Sequence, residues 1–303
     1  MIIARISNGL GNQLFIYAAA RRMAQDRGEK LLLDTHSGFV REKYGAIDQL
    51  RHFAVATERA PLSDCFVTPF GRRKRELMKT ISKHVPRARK FILKEQDFVG
   101  FNGAEPDFSG PLRRKVRLEG YWQSLRYFSP LEATIRCELQ IVSPLSETSR
   151  AVEAAILGCN AVCVHIRQKR GAALVADIPA PKANEPQLPF AYYQQAIEIA
   201  AARVRNPVFF CFGDDAEYLS ARWNFRYPVH FVTHNRTQDV AHEDFALMTQ
   251  CQHFIIANST FSWWAAYLGN HPDKFVIAPS SKGDLAWATE RDIHPTGWTV
   301  LDV

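Results

Sequence analysis

From residue 160 to residue 279 the chain repeats one pattern: a short apolar run, a polar break, a helical stretch, then another apolar run. "AVCVHIR" (161–167), "PVFFCFGDD" (207–215), "PVHFVTH" (228–234), "HFIIAN" (253–258) and "KFVIAP" (274–279) read as strands. "FAYYQQAIEIAAARV", "AEYLSARW", "EDFALMTQCQ" and "STFSWWAAYLG" read as the helices between them. Strands this continuously apolar are covered on both faces, and a helix between successive strands makes them parallel. That leaves the α/β class. The N-terminus repeats the theme: "MIIARI", then "LFIYAAARRMAQDR" with Gly28 as its stop, then "KLLLD". The stretch 35–115 is basic and reads as irregular, and "SPLS" (143–146) breaks the chain. The expectation is two Rossmann-like domains, 1–145 and 146–303, with mostly parallel sheets facing a cleft.

Composition narrows the partners. No early apolar run is long enough to span a membrane and none reads as a signal peptide, so a cytoplasmic protein is expected. The six cysteines lack any C-x-x-C pairing or zinc-like spacing and read as free thiols. The net charge of +7 is concentrated in "GRRKRELMKTISKHVPRARKFILK" (71–94), where Leu77, Met78, Ile81 and Val85 mark an apolar side at helical spacing. That segment reads as a helix with a solvated basic face, or as a peripheral contact for an anionic membrane or a lipid-diphosphate substrate. Without aromatic interleaving or a nucleic-acid motif, nucleic acid is not an expected partner.

Ligands of parallel sheets bind beyond the carboxyl ends of the strands. The first strand ends in "SNGLGNQ", where Gly9 and Gly11 would turn tightly and offer N–H groups to an anion at a helix start. The third glycine of a dinucleotide fingerprint is replaced by Leu14. His165 and Arg167 lie two apart and share one strand face, and Lys169 and Arg170 following them make a positive field suited to a diphosphate leaving group, with Lys169 a candidate donor contact. The Arg167 fork matches a phosphate, or alternatively makes a structural ion pair. Asp214 and Asp215 read less well as a metal pair than as one carboxylate for a base edge and one helix cap. Asn258, Ser259 and Thr260 stand where a strand becomes a helix, so hydroxyls and free N–H groups meet the positive dipole end and can hold a phosphate without a metal. Trp263 and Trp264 then anchor that helix.

"GLGNQLFIYAAA" (9–20), "EGYWQSLRYF" (119–128), "VHIR" (164–167), "DFALMTQCQHFIIANSTFSWWAAYL" (244–268) and "VIAP" (276–279) together resemble the bacterial α-1,2-fucosyltransferases. The resemblance implies a GT-B fold, a GDP-fucose donor held by the C-terminal domain, and inverting transfer to the 2-hydroxyl of a galactoside in surface glycan or O-antigen synthesis. It places the donor diphosphate on Arg167, the nucleotide on His165, phosphate on Ser259, Thr260 and Phe261, guanine on Asp214 or Asp215, and Asn12 at the reacting centre. GDP-fucose is then a substrate, with no cofactor and no metal expected. The family pattern H-x-R-R-x-D is altered: here Gln168 stands for the second arginine and Arg170 for the acid. For the base that takes the acceptor proton the sequence offers Glu119, with Asp34 next. Two other functions fit parts of the sequence. The glycine loop with Asp34 about twenty residues on suits an NAD-dependent oxidoreductase. The altered motif suits a catalytically silent GDP-sugar-binding protein.

Overall fold

The first apolar run forms β1 (Ile2–Arg5), which leads through a polar turn into α1 (Leu10–Arg27) and on to β2 (Leu31–Asp34). Helix α1 stops because Gly28 takes the left-handed conformation (φ 59°, ψ 29°) and returns its N–H to the carbonyls of Ala24 and Gln25. The computed structural model describes residues 1–40, 42, 45–98, 106–168, 186–223, 225–235, 237–280 and 293–303. The chain divides into Met1–Val142 and Ser143–Val303.

In the first unit β3 (Ile92–Leu93) and β4 (Val116–Leu118) complete a four-stranded sheet, in the order β2-β1-β4-β3, every pair parallel. Helix α3 (Glu132–Glu138) is tied to α1 by Glu138, which accepts from the Tyr17 hydroxyl at 2.6 Å and the Arg21 guanidinium at 3.0 Å. The 35–115 stretch is more regular than expected. It holds α2 (Pro69–Lys83), capped by the Thr68 hydroxyl, which accepts the Gly71 N–H at 3.0 Å. At two residues, β3 is too short to leave a periodic signal.

Helix α2 also corrects the basic segment. It ends at Lys83, well short of 94. Its apolar residues face out: Phe70 is 78% exposed, Leu77 61% and Ile81 37%. Two of its cations point in, Arg72 onto the Val67 carbonyl and Arg75 onto Glu119, while Arg73, Lys74 and Lys83 stay exposed. An unpaired carboxylate at a buried strand end is costlier than a few exposed aliphatic groups.

The second unit begins with α4 (Glu147–Leu157), a helix that sequence patterning overlooked. Then follow β5 (Asn160–Ile166), α5 (Phe190–Arg203), β6 (Pro207–Gly213), α6 (Ala216–Arg222), β7 (Val229–Phe231), α7 (Ala241–Gln250), β8 (His253–Ile255), α8 (Thr260–Leu268), β9 (Val276–Pro279) and β10 (Thr299–Leu301). The sheet order is β10-β9-β8-β5-β6-β7, all parallel. The chain steps outward from β5 through β6 to β7, then crosses back to β8 and steps outward the other way. The strand order therefore reverses between β5 and β8, which makes their carboxyl ends the place where a crevice opens. Val162, Val164, Phe209 and Cys211 from the strands pack with Tyr192, Tyr193 and Ala196 of α5 in one buried cluster. At the far end of α8 the Lys274 ammonium donates to the Ala266 and Gly269 carbonyls at 2.9 and 2.6 Å, closing the negative end of that helix.

Candidate active site

Beyond the last residue of β5, Arg167 reaches across to β6, and its Nη1 meets Asp214 Oδ1 at 2.6 Å. The pair is partly exposed and uses one arm of the guanidinium fork. The ion pair weighed for Arg167 from sequence is thus present, with Asp214 as its partner. Asp215 caps α6 by accepting the Tyr218 N–H at 3.0 Å. Both carboxylates are engaged, one with an arginine and one with a helix, which fits a metal pair poorly.

Gln168 is the residue whose role the sequence did not reveal. Its side chain is buried; its Oε1 accepts the Asp215 N–H at 2.6 Å, and its own N–H donates to Asp214 Oδ2 at 3.2 Å. Where the family pattern has a second arginine, this chain has a neutral brace between the ends of β5 and β6. The brace explains Gly213: a Cβ there would stand 2.8 Å from the Leu219 side chain and 3.0 Å from Gln168 Oε1. Lys169 and Arg170 lie outside the described residues.

His165 is the last polar side chain on β5 before Arg167. Burial, with Arg167 adding to it, pushes its pKa down to about 3, so the ring is neutral at physiological pH. Its Nδ1 is buried and finds no partner among the described residues. The ring lies 5.7 Å from that of Phe261, at the start of α8, and Phe261 packs edge-on against Phe245 of α7 at 5.4 Å. The end of β5 and the start of α8 therefore form one locality.

Helix α8 starts without side-chain help. Ser259 is its N-cap in extended conformation (φ −150°, ψ 127°), yet its hydroxyl accepts from no N–H of the helix. Asn258 and Ser259 line a small recess with Trp263 and Ser280. Trp263 and Trp264 are fully buried, and the Trp263 indole donates to the Ile293 carbonyl at 2.9 Å and stacks on Tyr267. The aromatics fix the helix, while Ser259, Thr260 and the first N–H groups form an end able to receive an anion.

The carboxyl edge of the first sheet is built differently. The left-handed turn after β1 is made by Asn8 (φ 65°); Gly9 has φ −67° and open space around it, so the tight turn expected of the glycines belongs to Asn8. Asparagine is among the few residues that adopt this conformation readily. Gly11 and Asn12 lie in the first turn of α1. Asn12 Oδ1 accepts from Gln123 Nε2 at 2.7 Å, which ties the glycine loop to the "EGYWQS" turn. In that turn Gly120 (φ 149°) and Trp122 (φ 57°) both take positive φ. Gln13, unnoticed in the sequence, is fully buried and holds the loop. It donates to the Asn8 and Ile47 carbonyls, both at 2.7 Å, and accepts the Gln49 N–H at 2.8 Å.

Neither candidate base offers a free carboxylate. Both Glu119 oxygens are held by Arg75, through Nε and Nη2 at 2.6 Å each, and the group is 5% exposed. A bidentate guanidinium stabilises the ionised form and occupies the lone pairs a base would use. Asp34 accepts the N–H groups of His36 and Ser37 at 3.1 and 2.8 Å. Asp34, His36 and Cys65 form a group whose ligand atoms all lie within 4.8 Å of one another. Burial, with Asp34 nearby, pushes the Cys65 thiol up to about 12, so without a metal cation beside it the thiol is neutral.

The chain matches the family described as Glycosyl transferase family 11 over residues 1–302. It is 29% identical to an alpha-1,2-colitosyltransferase of Escherichia coli over the whole chain and 99% of that protein. It is 26% identical to the O-antigen biosynthesis glycosyltransferase WbnK of Escherichia coli, over 90% of this chain and 92% of that one. Among solved structures it superposes on an Arabidopsis thaliana FUT1 mutant in complex with GDP with a TM-score of 0.52 at 12% identity, covering 91% of this chain and 70% of that chain. Two units wound on all-parallel sheets are the GT-B class of α/β fold that the resemblance implied. Neither the dinucleotide reading of the glycine loop nor the silent-binder reading gains support. The chain belongs to glycosyl transferase family 11 and is a glycosyltransferase.

Proposed function

We propose that the protein transfers L-fucose from GDP-β-L-fucose to the 2-hydroxyl of a galactoside, with inversion to an α-linkage. One observation carries the reading: the strand-order reversal of the second sheet brings together a half-free arginine fork, a buried neutral histidine and an uncapped helix start. That set suits a nucleoside diphosphate. In the reaction the acceptor hydroxyl approaches the anomeric carbon from the face opposite the diphosphate, through an oxocarbenium-like transition state, and its proton passes to solvent as the new C–O bond forms and the bond to the diphosphate breaks. As the anomeric C–O bond lengthens, charge grows on the β-phosphate. Arg167, the Ser259 hydroxyl and the N–H groups of Thr260 and Phe261 at the start of α8 stabilise it there. Phe261 holds His165 beside the nucleotide, and Asp214 keeps Arg167 aimed. Asn12, held by Gln123, is the first unit's candidate for contacting the acceptor. The acceptor is a galactoside of a surface glycan such as O-antigen, assembled on a lipid diphosphate.

The donor has one specific rival. The full-length relative carries the name of a colitosyltransferase, and colitose is fucose without its 3-hydroxyl. Titration calorimetry with GDP-fucose, GDP-colitose, GDP-mannose, UDP-galactose and NAD separates these readings. Binding of GDP-fucose with UDP-galactose and NAD silent is the expected result, followed by GDP release on adding a galactoside and an α-1,2 product by NMR. Tighter binding and faster turnover of GDP-colitose would transfer the assignment to that sugar. Binding of NAD alone would overturn the site.

A further inference from the structure

We propose that the outward ridge of α2 is a docking surface for an anionic lipid bilayer. On a helical wheel Phe70, Leu77 and Ile81 fall in one line, and all three are exposed. Arg73 and Lys74, also exposed, flank that line, and His84 follows at its C-terminal end. The opposite face carries Arg72, Arg75, Lys79 and Ser82. Arg75 grips Glu119, Lys79 pairs with Glu76 at 3.2 Å, and the Ser82 hydroxyl accepts the Phe91 and Ile92 N–H groups at 3.1 Å each. The only acid on the helix, Glu76, sits at the boundary and is paired with Arg75 and Lys79. The outward surface is thus apolar and cationic, with no carboxylate on the ridge.

A soluble helix normally turns its large apolar residues inward; here an ordered, capped helix does the reverse. An apolar ridge with basic flanks is the arrangement of a helix lying in the headgroup plane, apolar side chains among acyl chains and cations among anionic headgroups. Three side chains of this size amount to a few hundred Å². That falls short of the roughly 800 Å² per partner in a standard protein interface. It suffices for reversible lipid binding, to which each basic residue near an anionic surface adds about fivefold. The inner face fixes what is presented to the bilayer. Through Arg75 and Glu119, α2 is fastened to the carboxyl end of β4, so docking brings that edge of the first sheet to the membrane surface. This is where an acceptor carried on a lipid diphosphate is found. The assignment does not depend on the donor sugar.

The test is co-sedimentation of the full chain with vesicles of phosphatidylcholine alone and of phosphatidylcholine containing one-third phosphatidylglycerol. Binding only to the anionic vesicles is expected. It should weaken at least tenfold in Phe70→Ser/Leu77→Gln, severalfold in Arg73→Glu/Lys74→Glu, and severalfold in 0.5 M salt. All variants should keep wild-type turnover on a soluble galactoside, which shows that they fold and leaves the transferase reading standing whatever the vesicles show. No binding to anionic vesicles, or binding that the ridge variants leave intact, would overturn the proposal. So would a dimer, seen by light scattering, that Phe70→Ser/Leu77→Gln dissociates, since a second copy would then cover the ridge.

Discussion

Arg167 and Gln168 are adjacent in sequence and opposite in task. Arg167 is half free, and on the proposed reading Arg167→Ala removes a contact to the leaving diphosphate. The expected loss in kcat/KM is about a hundredfold or more, on the order of 3 kcal/mol, with an unchanged melting temperature. Arg167→Lys should recover little, because an ammonium cannot both pair with Asp214 and present a planar fork. A drop of less than about threefold in Arg167→Ala would remove Arg167 from the donor site. Gln168 faces inward and serves the fold. Gln168→Arg, which restores the second arginine of the family pattern, should destabilise the protein by about 1–3 kcal/mol in denaturant titration. Arginine has no acceptor for the Asp215 N–H and would bury a charge. An unchanged or raised midpoint would show that position 168 faces the ligand. The polar residues at the strand ends could be singled out in the sequence as a set. Their pairing could not, because Arg167 and Asp214 are forty-seven positions apart and meet only through the register of β5 against β6.

At the scale of elements, α7 carries a titrating group that stands apart from the chemistry. Asp244 is half-buried, with Asn235 Nδ2 donating to it at 2.8 Å and Glu243 beside it. Burial first, then the Glu243 charge, raises its pKa from 3.8 to about 7. The folded state thus holds a proton that the unfolded chain has released. This contribution to stability is fully present below about pH 4 and is lost as pH rises through 7. Asp244→Asn, which mimics the protonated carboxyl, should flatten that slope and gain more than about 1 kcal/mol at pH 8. Parallel wild-type and variant curves between pH 4 and 8 would refute the assignment. The same scale shows where patterning stops being informative. The apolar runs of the second unit's inner strands and the Gly28 stop were legible because they obey one period or one backbone rule. Strand β3 is too short for a period, and α2 has the right period with the wrong side buried. An apolar stripe reports that a face is special, and only the partners of Arg75 and Ser82 tell which way it turns.

For the whole molecule, the net charge of +7 acts on a donor that brings negative charge of its own. Donor affinity should fall severalfold between 0.05 and 0.5 M salt, because opposite charges attract less when screened. On the proposed reading Arg167 and the start of α8 stabilise the leaving diphosphate in place of a metal, so turnover in EDTA should stay within about twofold of the untreated rate. A loss restored by added divalent cation would assign part of the leaving-group charge to a metal instead.

The tryptophans of α8 give the protein an optical reporter of its own. Trp263 sits one turn past the cap at Ser259, stacked on Tyr267 and bonded through its indole to the Ile293 carbonyl. A diphosphate arriving at the helix start places its field within a few ångströms of an indole that water does not reach. Donor occupancy should be readable as a change in intrinsic emission, without a label, and Trp263→Phe should extinguish the signal while leaving the affinity nearly intact.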